Sequence, residues 1–574
     1  MLYSGGLQIH STMDSSIQKI VDEEISNLDN YDGNQKVSFS YRLTVNKADG
    51  TTKNYSEQTM LNYYQASNKD YNINFATKED AEAALEAYKA IVIGPDDEIA
   101  PAGETLSFTV QPQASVTVMQ HSTGEVVALS GGRGEKVGSR TLNRATSTVR
   151  QPGSAMKVIT AYTAALDSKG RGLGSVADDT PFRYKDGPFV NNVDMNHYGL
   201  LTYREGIVQS NNIIAIRALT DAGTTTGFKY AKAYGLTTLV DGDNNQAMAI
   251  GGLTNGVKNI EMCGAYATIA NHGYYIEPHL YTQVTDRQGN VLLDRTYNEE
   301  VQVIKETTAW LLTSAMQDVM KVGTGVRANF TLTYNTDMAV AGKSGTTNGK
   351  RDVVFTGFTP YYTAYVWGGF DDNSKQSYAN HSKNIFREVM GRIHQNLPVA
   401  EFVAQPSDII EVEICRKSGM LGIPGVCDMD PRGNMIYTEF YEEGTEPTEK
   451  CNRHAWLKMC DYTGFLGTES CPGTNRVYII GGTQETADAE YSVSLEAVTH
   501  WCPYHDGYHE QGMPNVDGIV ETELPEPDEE DEEGEETDED EAELPDDYSV
   551  PGMEGLTGVQ GPIVEVTEVP INNP

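Results

Sequence analysis

The sequence predicts an α+β fold in which both halves of the chain contribute strands to one sheet. A strand-like run at residues 115–120 continues into a hairpin turn at Thr123-Gly124. Helical patterns then dominate from 154 to about 270, and strand patterns return over 278–298 and again at 338–342. Strands at both ends of a domain with helices between them are typical of the α+β class.

Ahead of that domain, residues 5–13 read as a strand and residues 14–28 as a helix. The helix is indicated by apolar residues at helical spacing, namely Ile17, Ile20, Val21 and Ile25. Residues 37–110 then predict a small inserted α+β unit. It has strand-like alternation over 37–45, a turn at 48–50 and a helix over 78–89.

At 574 residues the chain is too long for a single hydrophobic core. Changes in composition predict five segments. They are a junction strand and helix at 1–36, the inserted unit at 37–110, the main domain at 111–400, a cysteine-containing segment at 401–505 and an acidic tail at 506–574.

Charge is concentrated in the predicted tail. The chain carries a net charge of −40, and residues 521–574 hold 21 of its 82 acidic residues and none of its 42 basic residues. Such a segment cannot bury enough apolar surface to fold, so the sequence predicts a disordered spacer there. The acidity argues against nucleic acid as a partner, and no run of about 18 apolar residues predicts a membrane span.

Ser154 and Lys157 follow a Pro152-Gly153 turn and share one face of a helix's first turn. A lysine can accept a serine proton at neutral pH only if burial or a neighbouring cation lowers its pKa. The free N–H groups of the helix end can stabilise a developing oxyanion. The pair therefore predicts a serine nucleophile with a lysine base, against the alternative of an N-cap serine beside a solvated lysine.

Two further motifs follow in chain order. Ser210-Asn211-Asn212 comes after a helix-like run, and Lys343-Ser344-Gly345-Thr346 comes after a strand-like run. With Ser154-x-x-Lys157 they resemble the motif set of serine β-lactamases and penicillin-binding proteins. Surrounding segments narrow the resemblance to the transpeptidase part of class A penicillin-binding proteins, which are bacterial cell-wall synthases. These segments are residues 5–14, 123–132, 251–257, 261–262, 265–267, 270–273, 356–360 and 366–369.

The resemblance implies the penicillin-binding and serine β-lactamase-like fold, an antiparallel sheet of about five strands flanked by helices. It also implies a D,D-transpeptidase acting on peptidoglycan stem peptides that end in D-Ala-D-Ala. In that family Ser154 would attack the penultimate carbonyl and Lys157 would take its proton. Ser210 would relay a proton to the leaving D-Ala, and Asn212 would bind the substrate amide and orient Lys157.

The third motif is implied to bind the substrate's terminal carboxylate. Lys343 supplies a cation, Ser344 and Thr346 supply hydroxyls, and Gly345 supplies a small backbone. The N–H groups of Ser154 and Thr346 would form the oxyanion hole. Because β-lactams are trapped by the same acylation, they are expected ligands alongside the stem peptides. No cofactor is expected.

Two other classes of function would place different demands on the sequence. A β-lactamase or D,D-carboxypeptidase would pass the acyl group to water, and a class A β-lactamase needs a glutamate to activate that water. No Glu-x-x-x-Asn element lies between Asn212 and Lys343. A catalytically silent wall-binding or β-lactam-sensor module would be expected to lack a member of the motif set, and all members are present.

Family members normally carry a membrane helix and a glycosyltransferase domain before the segment at residue 5. The sequence holds neither, so it is predicted to begin at the domain junction, and polymerase activity is not carried over. The resemblance implies a location on the extracytoplasmic face of the bacterial membrane, reached through that missing anchor. It also implies other cell-wall synthesis proteins as partners.

Six of the seven cysteines fall within 88 residues: Cys415, Cys427, Cys451, Cys460, Cys471 and Cys502. In an exported segment they predict a disulfide framework, with 15 pairings open. The alternative is a zinc site formed by Cys451, His454 and Cys460, although paired Cys-x-x-Cys knuckles are missing. Following the resemblance, disulfides are favoured and no metal is assigned. Cys263 stands apart in a small-residue helix pattern and is predicted to be a buried thiol.

Overall fold

The computed structural model describes residues 5–505, apart from 34, 135, 137, 139, 140, 185, 186, 333–337 and 484. The predicted acidic tail at 506–574 therefore lies outside the described residues. The strands are β1 (Gln8–Ser11), β2 (Lys36–Asn46), β3 (Thr52–Ser56), β4 (Glu98–Gln111), β5 (Gln113–Gln120), β6 (Glu125–Ser130), β7 (Val149–Arg150), β8 (Val176–Asp179), β9 (Phe182–Arg183), β10 (Phe189–Val190), β11 (Gly199–Thr202), β12 (Val257–Lys258), β13 (Tyr274–Tyr275), β14 (Tyr281–Thr285), β15 (Val291–Asp294), β16 (Val301–Gln302), β17 (Ala341–Thr346), β18 (Asp352–Phe358), β19 (Thr363–Gly369), β20 (Ile409–Cys415), β21 (Ile436–Glu442), β22 (His454–Lys458), β23 (Asn475–Ile480) and β24 (Ser492–Val493).

The α-helices are α1 (Ser15–Ser26), α2 (Glu57–Gln65), α3 (Lys78–Val92), α4 (Tyr203–Val208), α5 (Asn212–Ala222), α6 (Thr224–Ala233), α7 (Asn259–Ala270), α8 (Glu306–Lys321), α9 (His381–His394) and α10 (Leu495–Thr499). In the described part of the chain, none of them combines the length and apolar character needed to cross a bilayer.

A five-stranded antiparallel sheet organises the main domain, with strand order β17-β18-β19-β5-β6. Strands β5 and β6 precede the helical part of the chain, and β17 to β19 follow it. The α+β class and the sheet of about five strands shared between both chain halves are therefore confirmed.

Successive side chains of a strand point to opposite faces of the sheet. Both faces of this sheet are buried by packed helices. On one face Val116, Phe355 and Val366 pack in a cluster with Val21 of α1 and Phe386 of α9. On the other face Val354 and Tyr365 join a larger cluster that contains α7 and α8. Helices thus cover the sheet on both sides, and β17 and β6 are its two edge strands.

The strand and helix at the start of the chain form close to the positions that the sequence predicts. The helix predicted at 14–28 is α1, and it begins after Asp14, whose carboxylate accepts hydrogen bonds from the N–H groups of Ser16 and Ile17. The strand predicted at 5–13 is the shorter β1, which pairs with β14. Ile17 and Val21 are buried as their spacing predicts.

Residues 36–111 form a three-stranded sheet, β3-β2-β4, covered by α2 and α3. The predicted hairpin and the helix starting at Lys78 are both present, and the structure adds α2 and the long strand β4. This part has its own hydrophobic cluster, in which Tyr41, Met60 and Leu85 are buried. The domain boundaries predicted from composition remain predictions.

After α9 the chain runs without regular structure to 406 and then forms small sheets, β20-β21 and β22-β23-β24. An ion pair between the partly buried Arg204 and the buried Glu439 joins β21 to the helical part. Arg204 on α4 donates to both carboxylate oxygens of Glu439 at 2.6–3.0 Å and to Asp318 on α8 at 2.7 Å. Because α4 leads directly into Ser210, this contact braces the base of the second motif.

The predicted disulfide framework among the six C-terminal cysteines is wrong in this structure. All seven described cysteines are free thiols, and the six near the C-terminus form two groups of three, each with a histidine. Pairwise bonding within a group of three would always leave one thiol over. The alternative grouping is also wrong, because Cys460 lies in a different cluster from Cys451 and His454. Cys263 is buried in α7, as predicted.

Candidate active site

Ser154 lies in a short 3₁₀ turn, Gly153–Ala155, which leads into two π-helical segments, Val158–Tyr162 and Ala164–Ser168. The helix predicted to begin here is present, but it is wound as a 3₁₀ turn followed by π-helical segments, as is frequent at functional sites. Gly153 has φ +53°, and a Cβ there would lie 2.9 Å from the backbone nitrogen and oxygen of Thr346. Glycine is required here by both conformation and space, and it brings the serine turn against β17.

Lys157 is completely buried. Its amine donates to the Ser210 carbonyl oxygen at 2.5 Å and to the Asn212 side-chain oxygen at 2.7 Å, with the Ser210 hydroxyl 3.4 Å away. Burial and the neighbouring charge of Lys343 hold the pKa of Lys157 well below its usual range. A neutral amine has two donors and one lone pair, so these contacts leave the lone pair for a hydroxyl proton.

Lys343, on the edge strand β17, approaches the same serine from the other side. Its amine donates to the Ser210 hydroxyl at 2.7 Å and to the Ser344 carbonyl oxygen at 3.1 Å. Burial lowers the pKa of Lys343 to about 7, with a smaller contribution from Lys383. Ser210 thus stands between two buried amines and is free to donate its own proton.

The rest of β17 touches the nucleophile's turn. A Cβ on Gly345 would lie 2.3 Å from the Pro152 carbonyl oxygen, so only glycine lets the strand come this close. The Ser344 hydroxyl donates to the Thr324 hydroxyl at 2.8 Å. Thr324 was not predicted from the sequence, and its place beside the motif is set by the loop after α8.

The Ser210-Asn211-Asn212 loop is held by a buried carboxylate. Ser210 has φ +57°, a strained conformation for a residue with a side chain. Asp179 accepts from the Asn211 side-chain amide at 2.7 Å and from that of Asn192 at 2.8 Å. Asn211 also accepts from the backbone at the start of α5. Asp179 and Asn192 were missed because no local pattern in the sequence distinguishes them from ordinary loop residues.

The eight predicted site residues come from three separate parts of the chain and meet where β17 borders the helical part. They are Ser154, Lys157, Ser210, Asn212, Lys343, Ser344, Gly345 and Thr346. The arrangement offers a serine on a helix start, a lysine of lowered pKa and a second cation beside hydroxyls. Chemically, such a site can deprotonate a hydroxyl and neutralise an anionic group bound next to it.

Comparison with known proteins gives this geometry a family. Residues 114–391 match the model of the penicillin binding protein transpeptidase domain, and residues 405–455 match that of the penicillin-binding protein 1A C-terminal domain. The chain belongs to the penicillin-binding proteins. The first model spans the five-stranded sheet and all three motifs, and the second begins in the cysteine-containing segment.

Relatives within this family include penicillin-binding protein 1A of Clostridium perfringens, 33% identical over 65% of this chain and 45% of the relative. Penicillin-binding protein 1A of Clostridium novyi is 32% identical over 80% of this chain and 53% of the relative. The chain therefore spans about half the length of these relatives. The crystal structure of penicillin-binding protein 1A from Haemophilus influenzae shares the fold, with a TM-score of 0.56 and 20% identity over 78% of this chain and 74% of that one.

Proposed function

We propose that this chain is a serine D,D-transpeptidase that cross-links peptidoglycan stem peptides and is acylated by β-lactams. The observation that carries the proposal is the pair of buried amines, Lys157 and Lys343, which share the Ser210 hydroxyl beside the turn of Ser154. Desolvation of both amines supplies a base at neutral pH. The family match to the penicillin-binding transpeptidase domain supports the same reaction.

In the proposed reaction the Ser154 hydroxyl attacks the carbonyl of the penultimate D-Ala while its proton passes to neutral Lys157. The bond to the terminal D-Ala breaks, and Ser210 donates a proton to the leaving amine, replenished from the adjacent lysine. The amine of a second stem peptide then attacks the acyl-enzyme, restores the Ser154 hydroxyl and forms the cross-link. The close contact of Gly153 with Thr346 supports the N–H groups of Ser154 and Thr346 as the oxyanion donors.

The charge on Lys343 and the hydroxyls of Ser344 and Thr346 would receive the substrate's terminal carboxylate. Charge-assisted hydrogen bonds of this kind contribute about 1.5–3 kcal/mol each. Asn212, which already accepts from Lys157, would keep that amine oriented and meet the substrate amide. We place this chemistry on the extracytoplasmic face of the membrane, where the cell wall is assembled.

The test is to locate the penicillin adduct. Trypsin cuts after Arg150 and Lys157 and releases residues 151–157, in which Ser154 is the only hydroxyl residue. We expect peptide mapping by mass spectrometry to find the adduct on this peptide. Ser154→Ala should abolish labelling, whereas the matched control Ser147→Ala, at an exposed position, should label as wild type.

An adduct on another peptide, or one that survives in Ser154→Ala, contradicts the assignment of the nucleophile. Transpeptidation is then separated from hydrolysis by incubating the protein with a D-Ala-D-Ala donor and an amine acceptor. A cross-linked product supports the transpeptidase. Release of the free acid alone, with acceptor in excess, would instead favour the D,D-carboxypeptidase.

A further inference from the structure

Two clusters of ligand-type side chains lie outside the candidate active site, in the segment after residue 409. The first consists of Cys415, Cys427, Cys451 and His454, and the second of Cys460, Cys471, Cys502 and His505. Within each cluster the four Sγ and ring-nitrogen atoms all lie within 4.8 Å of one another. Seven of the eight residues are buried and His505 is partly buried, so these are not loose surface groups.

Their spacing fits one tetrahedral metal ion in each cluster. Zinc bonds of about 2.3 Å to sulfur and about 2.0 Å to nitrogen place sulfur and nitrogen about 3.6 Å apart. In the first cluster His454 Nδ1 lies 3.2 Å from Cys415 Sγ and 3.7 Å from Cys451 Sγ. In the second, His505 Nδ1 lies 2.9 Å from Cys502 Sγ and 3.7 Å from Cys460 Sγ.

The two clusters are built by a repeated sequence. Residues 415–422 and 460–467 both read Cys-x-x-Ser/Thr-Gly-x-Leu-Gly, and each cluster ends in Cys-x-x-His. The backbone repeats as well. In the first copy the Cys415 N–H donates to Met420 O at 2.7 Å, and in the second the Cys460 N–H donates to Phe465 O at 2.8 Å.

Each cluster also has a backbone N–H group aimed at a cysteine sulfur from the same position of the repeat. The Ile423 N–H donates to Cys427 Sγ at 3.3 Å, and the Thr468 N–H donates to Cys471 Sγ at 3.2 Å. Such a hydrogen bond stabilises a thiolate, the form in which cysteine binds a metal.

A contact at Nε2 orients His454 so that its Nδ1 can bind a metal. Its Nε2 lies 3.0 Å from the carboxylate of Asp430, and both side chains are almost completely buried. Asp430 is in turn held by Arg432 at 2.7 Å. A carboxylate that accepts a hydrogen bond from Nε2–H favours the tautomer in which Nδ1 carries a free lone pair, and Nδ1 faces the sulfurs. Metal-bound histidines are usually supported in this way.

The segment that holds the cysteines has only small apolar clusters, of which the largest consists of Met459, Leu466, Ile480, Val493 and Val498. The hydrophobic cluster at the first site consists of three cysteines and Met435, with Ile423 and Ile436 partly buried against it. The cluster at the second site consists of Cys460, Cys471 and Cys502 alone. Each half of the segment, 409–453 and 454–505, is about 50 residues long, and units of that size commonly add a metal or disulfides to a small core. Three thiols that converge on one histidine nitrogen favour the metal.

We propose that each cluster binds one Zn²⁺ as a closed, structural Cys₃His site that folds the segment from 409 to 505. Three thiolates and an imidazole in tetrahedral geometry are a typical structural zinc set, and with four protein ligands no position is left for a substrate. Binding displaces the thiol protons and changes no oxidation state. The inference is independent of the proposed transpeptidase reaction.

Zinc content is the first measurement. The full chain, purified without chelators, should contain two zinc ions by inductively coupled plasma mass spectrometry. Cys427→Ser and Cys471→Ser should each lose one ion, and the matched control Cys263→Ser, at a buried cysteine outside both clusters, should keep two. Penicillin labelling of Ser154 is followed in parallel and reports the proposed active site separately.

Because a lost ligand can unfold the segment, Asp430→Asn provides a variant that keeps every ligand. We expect it to release the zinc of the first cluster at a chelator concentration about 10- to 100-fold lower, with the second unaffected. A matched control is Asp243→Asn, a buried aspartate in the main domain, which should release both ions like wild type. Equal release from Asp430→Asn and wild type overturns the role of Asp430 and of the geometry argued from it.

Cobalt provides the spectroscopic check. Replacing zinc by Co²⁺ should give the visible absorption of tetrahedral cobalt and a near-ultraviolet sulfur-to-cobalt band, each halved in Cys427→Ser. A metal-free protein whose intact mass is lower by two hydrogen masses for every disulfide would overturn the proposal. A chain with a single zinc overturns it for the cluster that lacks the ion, and another native metal overturns the assignment to zinc.

Discussion

Titration of Lys343 gives a sharp test of the proposed carboxylate pocket. The side chain is completely buried on β17, and burial lowers its pKa to about 7, helped by the charge of Lys383. Such a group is about nine-tenths charged at about pH 6 and about one-tenth charged at about pH 8. Only the charged form can pair with a carboxylate. The second-order acylation rate constant for a carboxylate-bearing donor should therefore fall about tenfold per pH unit above about pH 7.

Titration of Lys157 changes the acylation rate constant in the opposite direction, because the neutral form of Lys157 is the proposed base. Its pKa lies well below its usual range, so the rate constant should rise with pH on the acid side before Lys343 loses its charge. The expected profile is a bell. Lys343→Arg keeps a positive charge throughout this range, so the descending limb should disappear while the ascending limb remains.

The assay measures acylation by a fluorescent penicillin between about pH 5.5 and about pH 9, and it is repeated with the same compound esterified at its carboxyl group. The ester carries no carboxylate charge for Lys343 to pair with, so loss of the Lys343 charge should not affect its rate constant. Its profile should show the ascending limb alone. A wild-type rate constant that stays level to about pH 9 would refute the role given to Lys343. A descending limb of equal depth for the ester would refute it as well.

Three further predictions test neighbouring parts of the structure. Lys157→Arg removes the neutral base and should lower the acylation rate by about 10²- to 10⁴-fold with an unchanged melting temperature; near wild-type labelling would point to another base. Gly345→Ala places a Cβ 2.3 Å from the Pro152 carbonyl oxygen and should lower acylation at least about tenfold, whereas Gly242→Ala, with 3.9 Å to its nearest atom, should not. Glu439→Gln leaves the partly buried Arg204 guanidinium with Asp318 as its remaining carboxylate and should destabilise the protein by about 1.5–3 kcal/mol, seen as a lower melting temperature; an unchanged value would show that the pair does not stabilise the fold.

Local features of the fold were predicted well because short-range rules decide them. Helix α1 follows from apolar spacing and an Asp14 cap, and α3 begins at Lys78 as its pattern predicts. The shared sheet was also predictable, since strand patterns flank the helical part of the chain. The hydrophobic face of each strand could not be assigned, because both faces of a covered sheet are apolar and alternation carries no signal.

The candidate residues of the active site were named from three motifs, yet their chemistry depends on contacts across long stretches of chain. Lys157 has a lowered pKa because it is buried and because Lys343, distant in sequence, comes close to it. Burial and proximity are properties of packing, which a motif does not encode. Asp179 and Asn192 hold the Ser210 loop and were missed for the same reason.

The cysteines show most clearly what the sequence determines and what only the tertiary structure decides. By itself the sequence determined that six thiols lie in one short segment, and it contains the repeat Cys-x-x-Ser/Thr-Gly-x-Leu-Gly. Which thiols meet was decided only by the tertiary structure, which sorts them into two groups of three and adds His454 and His505. The physical reason is that a cluster depends on distances in space, whereas any pairing of six thiols satisfies the same spacing along the chain.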